Sequence, residues 1–364
     1  MPTRFINTHA LQHNFQQIHA RAPHAKQLVM VKADAYGHGA DIVVNSLPQA
    51  NGFGVATLLE GIHLRRFGVQ QTIVVMQGVF SVQALQEAQQ HDLTLVLHDP
   101  EQLILLEAAT TPVKVWVQID IGQHLLGITP SHVPAVWQHL QACQIDREHL
   151  CWLGHFPNAD RTDDQETEKQ IALFQQVTAA LPGEKSLPSS AGIFAWPASH
   201  TDWIRPGGAI YGMSLYAGKT GADLGLQAVM QLTAPLLSVK TLQAGDAISY
   251  GSTWTCPESM CVGMVGIGYG DGYPRAASNR GMVWLHGQLC PVIGTVAMDV
   301  LCIDLRACVA AKVGDDVICW GPQYPVETVA AQLKTNPYAL TTQLTQRAIK
   351  KLQDQPADNR VQSV

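Results

Sequence analysis

Residues 1 to about 210 alternate short apolar runs with helix-length segments. The apolar runs read as strands. They are LVMVK, which ends at Lys32, then GFGVA (Gly52 to Ala56), TIVVM (Thr72 to Met76), LTLVL (Leu93 to Leu97), VKVWVQI (Val113 to Ile119) and LCWLGHF (Leu150 to Phe156). A weaker run, KSLPSS, ends near Ser190, and DWIR ends at Arg205. Segments such as SVQALQEAQQHD and DQETEKQIALFQQVTAAL carry helical spacing between them, and Thr8 caps a first helix with Leu11, Phe15 and Ile18 on one face. Strands alternating with helical crossovers predict an α/β chain built as a parallel (β/α)8 TIM-type barrel. A doubly wound open sheet is the structural rival, and the absence of G-x-G-x-x-G after an early strand counts against it. After about residue 225 the period shortens. Runs such as APLLSVKTL, DAISYG, MCVGMVGIGYG, CPVIGTVAM and DDVICWG, separated by Gly and Pro turns, predict a second, mostly β domain. The expected division is 1–225 and 226–364, with closing helices near Pro325 to Leu333 and Leu340 to Lys351 and a frayed polar tail.

Composition narrows the partners. Charged residues make up 14% of the 364, well below the usual roughly 25%, which fits a large interior or a subunit that hides surface in an oligomer. The net charge of -6, with no basic run, speaks against nucleic acid. No apolar run approaches the roughly 18 residues that span a membrane, and the N-terminus has no secretory h-region. The eight cysteines form no C-x-x-C pair and read as reduced thiols of a cytoplasmic protein. No metal is expected.

Chemistry concentrates at the C-terminal ends of the barrel strands, where active sites of this architecture lie. Lys32, His155, Ser189 with Ser190, and Arg205 end the first, sixth, seventh and eighth runs, and Pro206-Gly207-Gly208 follows the last. Glycine lets backbone N–H groups approach an anion, so a phosphate-bearing ligand near Ser190, Gly207 and Gly208 is expected. A partly buried lysine loses proton affinity and becomes an amine nucleophile. Amine, phosphate site and barrel together point to pyridoxal phosphate, which forms a Schiff base with lysine. A lysine that only makes a salt bridge is the alternative.

The stretch VKADAYGHG resembles the pyridoxal-phosphate lysine motif of the alanine racemases, and further matches follow in order: LGHFPNAD, SSAG, WIRPGGAIYG, ISYGSTW, GYGDGYPR and GTVAMD. The resemblance covers nearly the whole chain. It implies a homodimer with shared active sites, an amino-acid substrate, and interconversion of L- and D-alanine for peptidoglycan precursors. Lys32 would hold the cofactor and act as one base, and Tyr250 would be the second base on the opposite face of Cα, entering from the partner subunit with Met298 and Asp299. The backbone N–H of Met298 would meet the substrate carboxylate, and Asp299 would order that loop. Arg205 would face the pyridine nitrogen, with His155 against the cofactor linking Arg205 to Tyr250. Tyr36, Ser190, Gly207 and Gly208 map onto phosphate contacts, and Tyr269 onto the substrate entryway.

Strand 5 departs from the family pattern. Gln118 stands where a lysine, often carbamylated, is usual, and Leu125 where an arginine bonds the cofactor's phenolic oxygen. A hydrogen bond to a charged group is worth about 1.5–3 kcal/mol, so a retuned racemase is the expectation. His124 is adjacent but alternates to the other face of a strand. Gln346 replaces an aromatic or hydroxyl residue common at the entrance. The alternatives are a racemase of shifted substrate, a decarboxylase of the same fold, which Tyr250 disfavours, and a non-catalytic cofactor-binding homologue.

Overall fold

The chain opens on a strand that the hydrophobic period did not reveal, β1 (Thr3–Asn7), and only then enters the alternating pattern. The next eight strands are β2 (Lys26–Met30), β3 (Gly52–Val55), β4 (Thr72–Val75), β5 (Thr94–Leu97), β6 (Val115–Gln118), β7 (Cys151–Leu153), β8 (Glu184–Ser189) and β9 (Trp203–Arg205). All pair in parallel, and β9 returns to β2, closing the barrel. Every residue of β3 and of β5 is buried, as strands covered on both faces require. The parallel barrel expected from the sequence is therefore present. The computed structural model describes residues 1–163 and 165–353. The tail expected to fray, 354–364, lies outside them.

The chain forms two compact units. A barrel unit holds Phe15–Ala35 and Ala40–Ile210, and a β-rich unit holds Met1–Asn14, Tyr36–Gly39 and the chain from Tyr211 onward. In the β-rich unit the strands are β10 (Met230–Leu242), β11 (Ala247–Ile248), β12 (Trp254–Thr255), β13 (Met260–Val265), β14 (Met282–Leu285), β15 (Gln288–Ile293), β16 (Leu301–Asp304), β17 (Asp316–Trp320) and β18 (Ile349–Gln353). The large sheet runs β13-β16-β15-β14-β17-β10-β1-β18, and β10 also pairs with β13. β11 and β12 form a separate hairpin.

Two sequence expectations are corrected. The helix near Leu340 to Lys351 is shorter, Pro337–Thr342, and the chain then turns into β18. There β1 offers a free edge, and the two strands pair in parallel from Thr3 opposite Ile349 to Asn7 opposite Gln353. Nor does Lys32 end a strand. β2 stops at Met30, and Ala33, Asp34, Ala35 and Tyr36 all take left-handed φ of 52–54°. L-residues resist this conformation by roughly 1–2 kcal/mol each, so neighbouring groups must hold it.

In the β-rich unit, one such group is Arg4. It is 3% exposed and donates to three carbonyls: Nε to Ala348 (2.9 Å), Nη1 to Gly37 (2.9 Å) and Nη2 to Thr345 (3.2 Å). Gly37 is itself confined, with φ +81° and a position where a Cβ would lie 2.0 Å from the Thr341 carbonyl oxygen. Arg4→Met leaves those carbonyls buried without donors. A loss of about 3 kcal/mol is expected, read as a lower urea midpoint for the β-rich unit's fluorescence transition.

Candidate active site

In the barrel unit, Lys32 is half-buried, and its Nζ has no hydrogen-bond or ion-pair partner among the described residues. Burial lowers its pKa, Glu60 opposes that shift, and Arg205 adds to it. Glu60 does not neutralise the amine because its oxygens are directed at backbone. Oε1 accepts the Ala33 N–H at 2.8 Å, and Oε2 accepts those of Ala56 (2.8 Å) and Thr57 (3.0 Å), while Thr57 caps the helix Leu58–Arg66. One carboxylate thus ties the end of β3 to the first residue of the left-handed turn. Nothing in the local sequence marked Glu60, since a capping box is a common helix start.

Arg205 ends β9, is 3% exposed, and donates to neutral groups: Nη1 to Ser186 Oγ (2.7 Å) and Nη2 to the carbonyls of Gly154 and Leu187. Burial lowers its pKa to about 10, which still leaves it charged at neutral pH. Nη2 also lies 3.4 Å from His155 Nδ1. Arginine only donates, so Nδ1 must accept and the ring proton sits on Nε2. Burial, then Arg205 and Lys32, push the His155 pKa down to about 3. At the β8 end, Ser190 Oγ accepts the N–H groups of Gly207 (2.9 Å) and Ala209 (3.2 Å). Of the two glycines, it is the Gly208 N–H that has no acceptor among the described residues. An unpartnered amine, a buried guanidinium bonded only to neutral groups, and an open amide beside a serine hydroxyl fit a group carrying an aldehyde, a ring nitrogen and a phosphate.

The departures at Gln118 and Leu125 lie at the end of β6 and in the loop after it, in the same unit. Gln118 is buried, and its Nε2 donates to the Leu126 carbonyl at 2.9 Å, so it pins the loop that follows. Asp120 organises that loop through the Gly122 N–H (2.9 Å), the His124 N–H (3.0 Å) and His124 Nδ1 (2.9 Å). Burial works to raise the Asp120 pKa, but these bonds outweigh it and the net shift is downward. His124 Nδ1 is therefore committed to Asp120. Leu125 is 76% exposed.

The β-rich unit assembles the remaining candidates. Tyr36 is packed by the rings of Tyr211 (5.1 Å between centroids) and Tyr338 (5.2 Å), and burial raises its pKa to about 12. Tyr269, Met298 and Asp299 come together: the Tyr269 N–H donates to the Ala297 carbonyl and that of Gly270 to Met298, leaving the Met298 N–H without an acceptor among the described residues. Asp299 is held by Arg347 (2.6 Å), whose Nε also meets the buried Asp271 at 3.0 Å. Sequence reading missed Arg347, because its partners are distant in the chain. Its neighbour Gln346 is exposed. Tyr250 is 73% exposed at the tip of the β11–β12 hairpin, and Ser249 before it sits at φ 61°, ψ −174°, a region almost reserved for glycine that costs about 1–3 kcal/mol.

Comparison with known proteins agrees with this geometry. The family model for the alanine racemase N-terminal domain matches residues 6–215, and that for the C-terminal domain matches 229–352. The chain is 42% identical to the biosynthetic alanine racemase of Escherichia coli O6:H1 over 97% of its length and 99% of that protein's. It is 42% identical to the alanine racemase of Vibrio parahaemolyticus over 94% of its length and 96% of that protein's. Among solved structures, the biosynthetic alanine racemase of Pseudomonas aeruginosa superposes with a TM-score of 0.93 at 34% identity, covering 97% of this chain and 99% of that one. That of Bartonella henselae, solved with covalently bound pyridoxal phosphate, gives 0.87 at 26% identity, covering 96% and 99%. With matching models over both parts of the chain and relatives along nearly all of it, the protein belongs to the alanine racemase family.

Proposed function

We propose that the protein is a pyridoxal-phosphate-dependent alanine racemase that interconverts L- and D-alanine in the cytoplasm and supplies D-alanine for peptidoglycan. The observation that carries this reading is the half-buried Lys32 amine, unpartnered beside the Arg205–His155 pair at the end of the barrel strands. When bound, the cofactor withdraws electrons from the substrate Cα and so acidifies its C–H bond. The residues do the rest. Lys32 holds the cofactor and takes or returns a proton on one face of Cα, and Tyr250 of the partner subunit does so on the other. The open Met298 N–H receives the substrate carboxylate, in a loop that Asp299 and Arg347 keep in place. Arg205 would face the pyridine nitrogen and, being always protonated, would keep it unprotonated, which would limit side reactions. Neutral His155, with its proton on Nε2, offers a donor to the Tyr250 oxygen. Ser190 and Gly208 would receive the phosphate, with Gly207 bracing Ser190; the family resemblance assigns Tyr36 a phosphate contact as well.

A homodimer follows from this assignment, since Tyr250 then completes the other protomer's site. The readings of a decarboxylase or a non-catalytic homologue are not favoured, because the relatives named alanine racemase span nearly the whole chain. A retuned side-chain range rests on Leu125 alone.

Three outcomes are expected. In a chiral assay with added pyridoxal phosphate, alanine is racemised faster than serine or other amino acids, and Lys32→Ala loses both the visible cofactor band and at least about a thousandfold in rate. Retention of the band in that variant would refute the assignment of Lys32. Glu60→Gln removes the negative charge that raises the Lys32 pKa, and a neutral amide cannot accept all three N–H groups. The pH at which the bound cofactor's visible band changes should move down, with a stability loss of about 1–3 kcal/mol in urea unfolding. Because His155 stays neutral in the fold down to about pH 3, the unfolded chain binds its proton first. Its contribution to stability is full above pH 6.5 and drains away as pH falls from about 6.5 to 3. His155→Gln should flatten that slope in urea midpoints measured across the same range.

A further inference from the structure

Tyr250 occupies an unusual place for a group that must be positioned to a fraction of an ångström. It is exposed, on a hairpin whose strands have two residues each, in a tip where Ser249, Gly251 and Ser252 all have positive φ. The hairpin base is anchored, since Ile248 and Cys256 belong to an apolar cluster with Met260, Val262 and Ile293. The tip is held separately, by Thr295. Ser249 Oγ donates to the Thr295 carbonyl at 2.6 Å, and Thr295 Oγ1 donates to the carbonyl of Tyr250 itself at 2.9 Å. Thr253 Oγ1 lies 3.2 Å from Thr295 Oγ1, and Asn279 braces both sides by donating to Thr253 Oγ1 (3.1 Å) and accepting the Gly294 N–H (2.6 Å). Gly294 is required there: its φ is +72°, and a Cβ would press at 3.0–3.1 Å on Ile248 and Ser249. Thr295 is also only three positions before Met298 in GTVAMD, so one short turn carries the clamp on Tyr250 and the amide assigned to the substrate carboxylate.

We propose that Thr295 is a positioning residue for racemisation, holding the strained Tyr250 tip in fixed register with the Met298 loop. This rests on the reading of Tyr250 as the second base. A side chain that only stabilised the fold would affect both bases alike. A clamp on Tyr250 affects one face of Cα, so its loss should make that one proton transfer slower relative to the other.

The test uses the purified holoenzyme with α-deuterated L- and D-alanine. Thr295→Val keeps the shape and removes the donor. It should lower kcat about three- to tenfold with little change in KM, and raise the α-deuterium isotope effect for one enantiomer only. Thr295→Ser, which restores the hydroxyl, should recover both values. Ser249→Gly fits the backbone without strain and removes the reciprocal bond. It should unfold at higher urea yet show the same one-sided isotope effect, and it decides the matter if Thr295→Val does not fold. Parental kcat and isotope effects in Thr295→Val, with Tyr250→Phe inactive, would overturn the role of Thr295. Parental racemisation by Tyr250→Phe would instead overturn the reading of Tyr250 as a base, and this proposal with it.

Discussion

The Lys32 amine stays unpaired although a carboxylate lies near it, because Glu60 directs its oxygens to the backbone. Its oxygens accept backbone N–H groups from Ala33, Ala56 and Thr57, so its charge acts on Lys32 while its lone pairs are occupied. The same bonds hold the first residue of a left-handed turn that no glycine eases between Ala33 and Tyr36. The end of β3, the turn and the amine thus share one carboxylate. Burial, with the positive charges of Arg205 and Lys32, keeps the His155 imidazole neutral. The barrel supplies the scaffold, and the state of Lys32 comes first from its burial, with Arg205 lowering its pKa further and Glu60 opposing.

What the sequence made legible follows from what is local. Barrel strands are buried on both faces, so their apolar runs stand out, and Lys32, His155, Ser190 and Arg205 were found by standing at or just past the ends of those runs. β1 and β18 escaped notice because neither is strongly apolar along its length; each is a strand because the other, or β10, pairs with it. Glu60, Arg347 and Thr295 escaped for the same reason at the level of side chains. Their roles reside in partners brought close by folding, and their types are ordinary: an acid in a helix cap, a basic residue after a turn, a threonine between glycine and valine. The strain at Ser249 was equally silent, since serine gives no warning of positive φ.

The end of β6 and the loop after it show a backbone framework held without a charged side chain at 125. Gln118 serves the loop backbone through Leu126, and Asp120 gathers Gly122 and His124, so the loop is ordered without a charged side chain at 125. Leu125 projects into solvent from a firmly built loop. The departure from the family is one of chemistry at a position whose backbone is well supported.

The parallel pairing of β1 with β18 also has a consequence for the order of events on the ribosome. The barrel strands are complete once Arg205 has emerged, and they pair mostly with neighbours in sequence. β1 precedes the barrel strands yet has no sheet partner among the described residues until β10 arrives, and no second one until β18. β1 therefore waits through the synthesis of the whole barrel unit with its edge groups unpaired, the kind of exposed strand that invites pairing with other chains. Its buried Arg4, a charge that favours water until its carbonyl partners exist, suits such a wait.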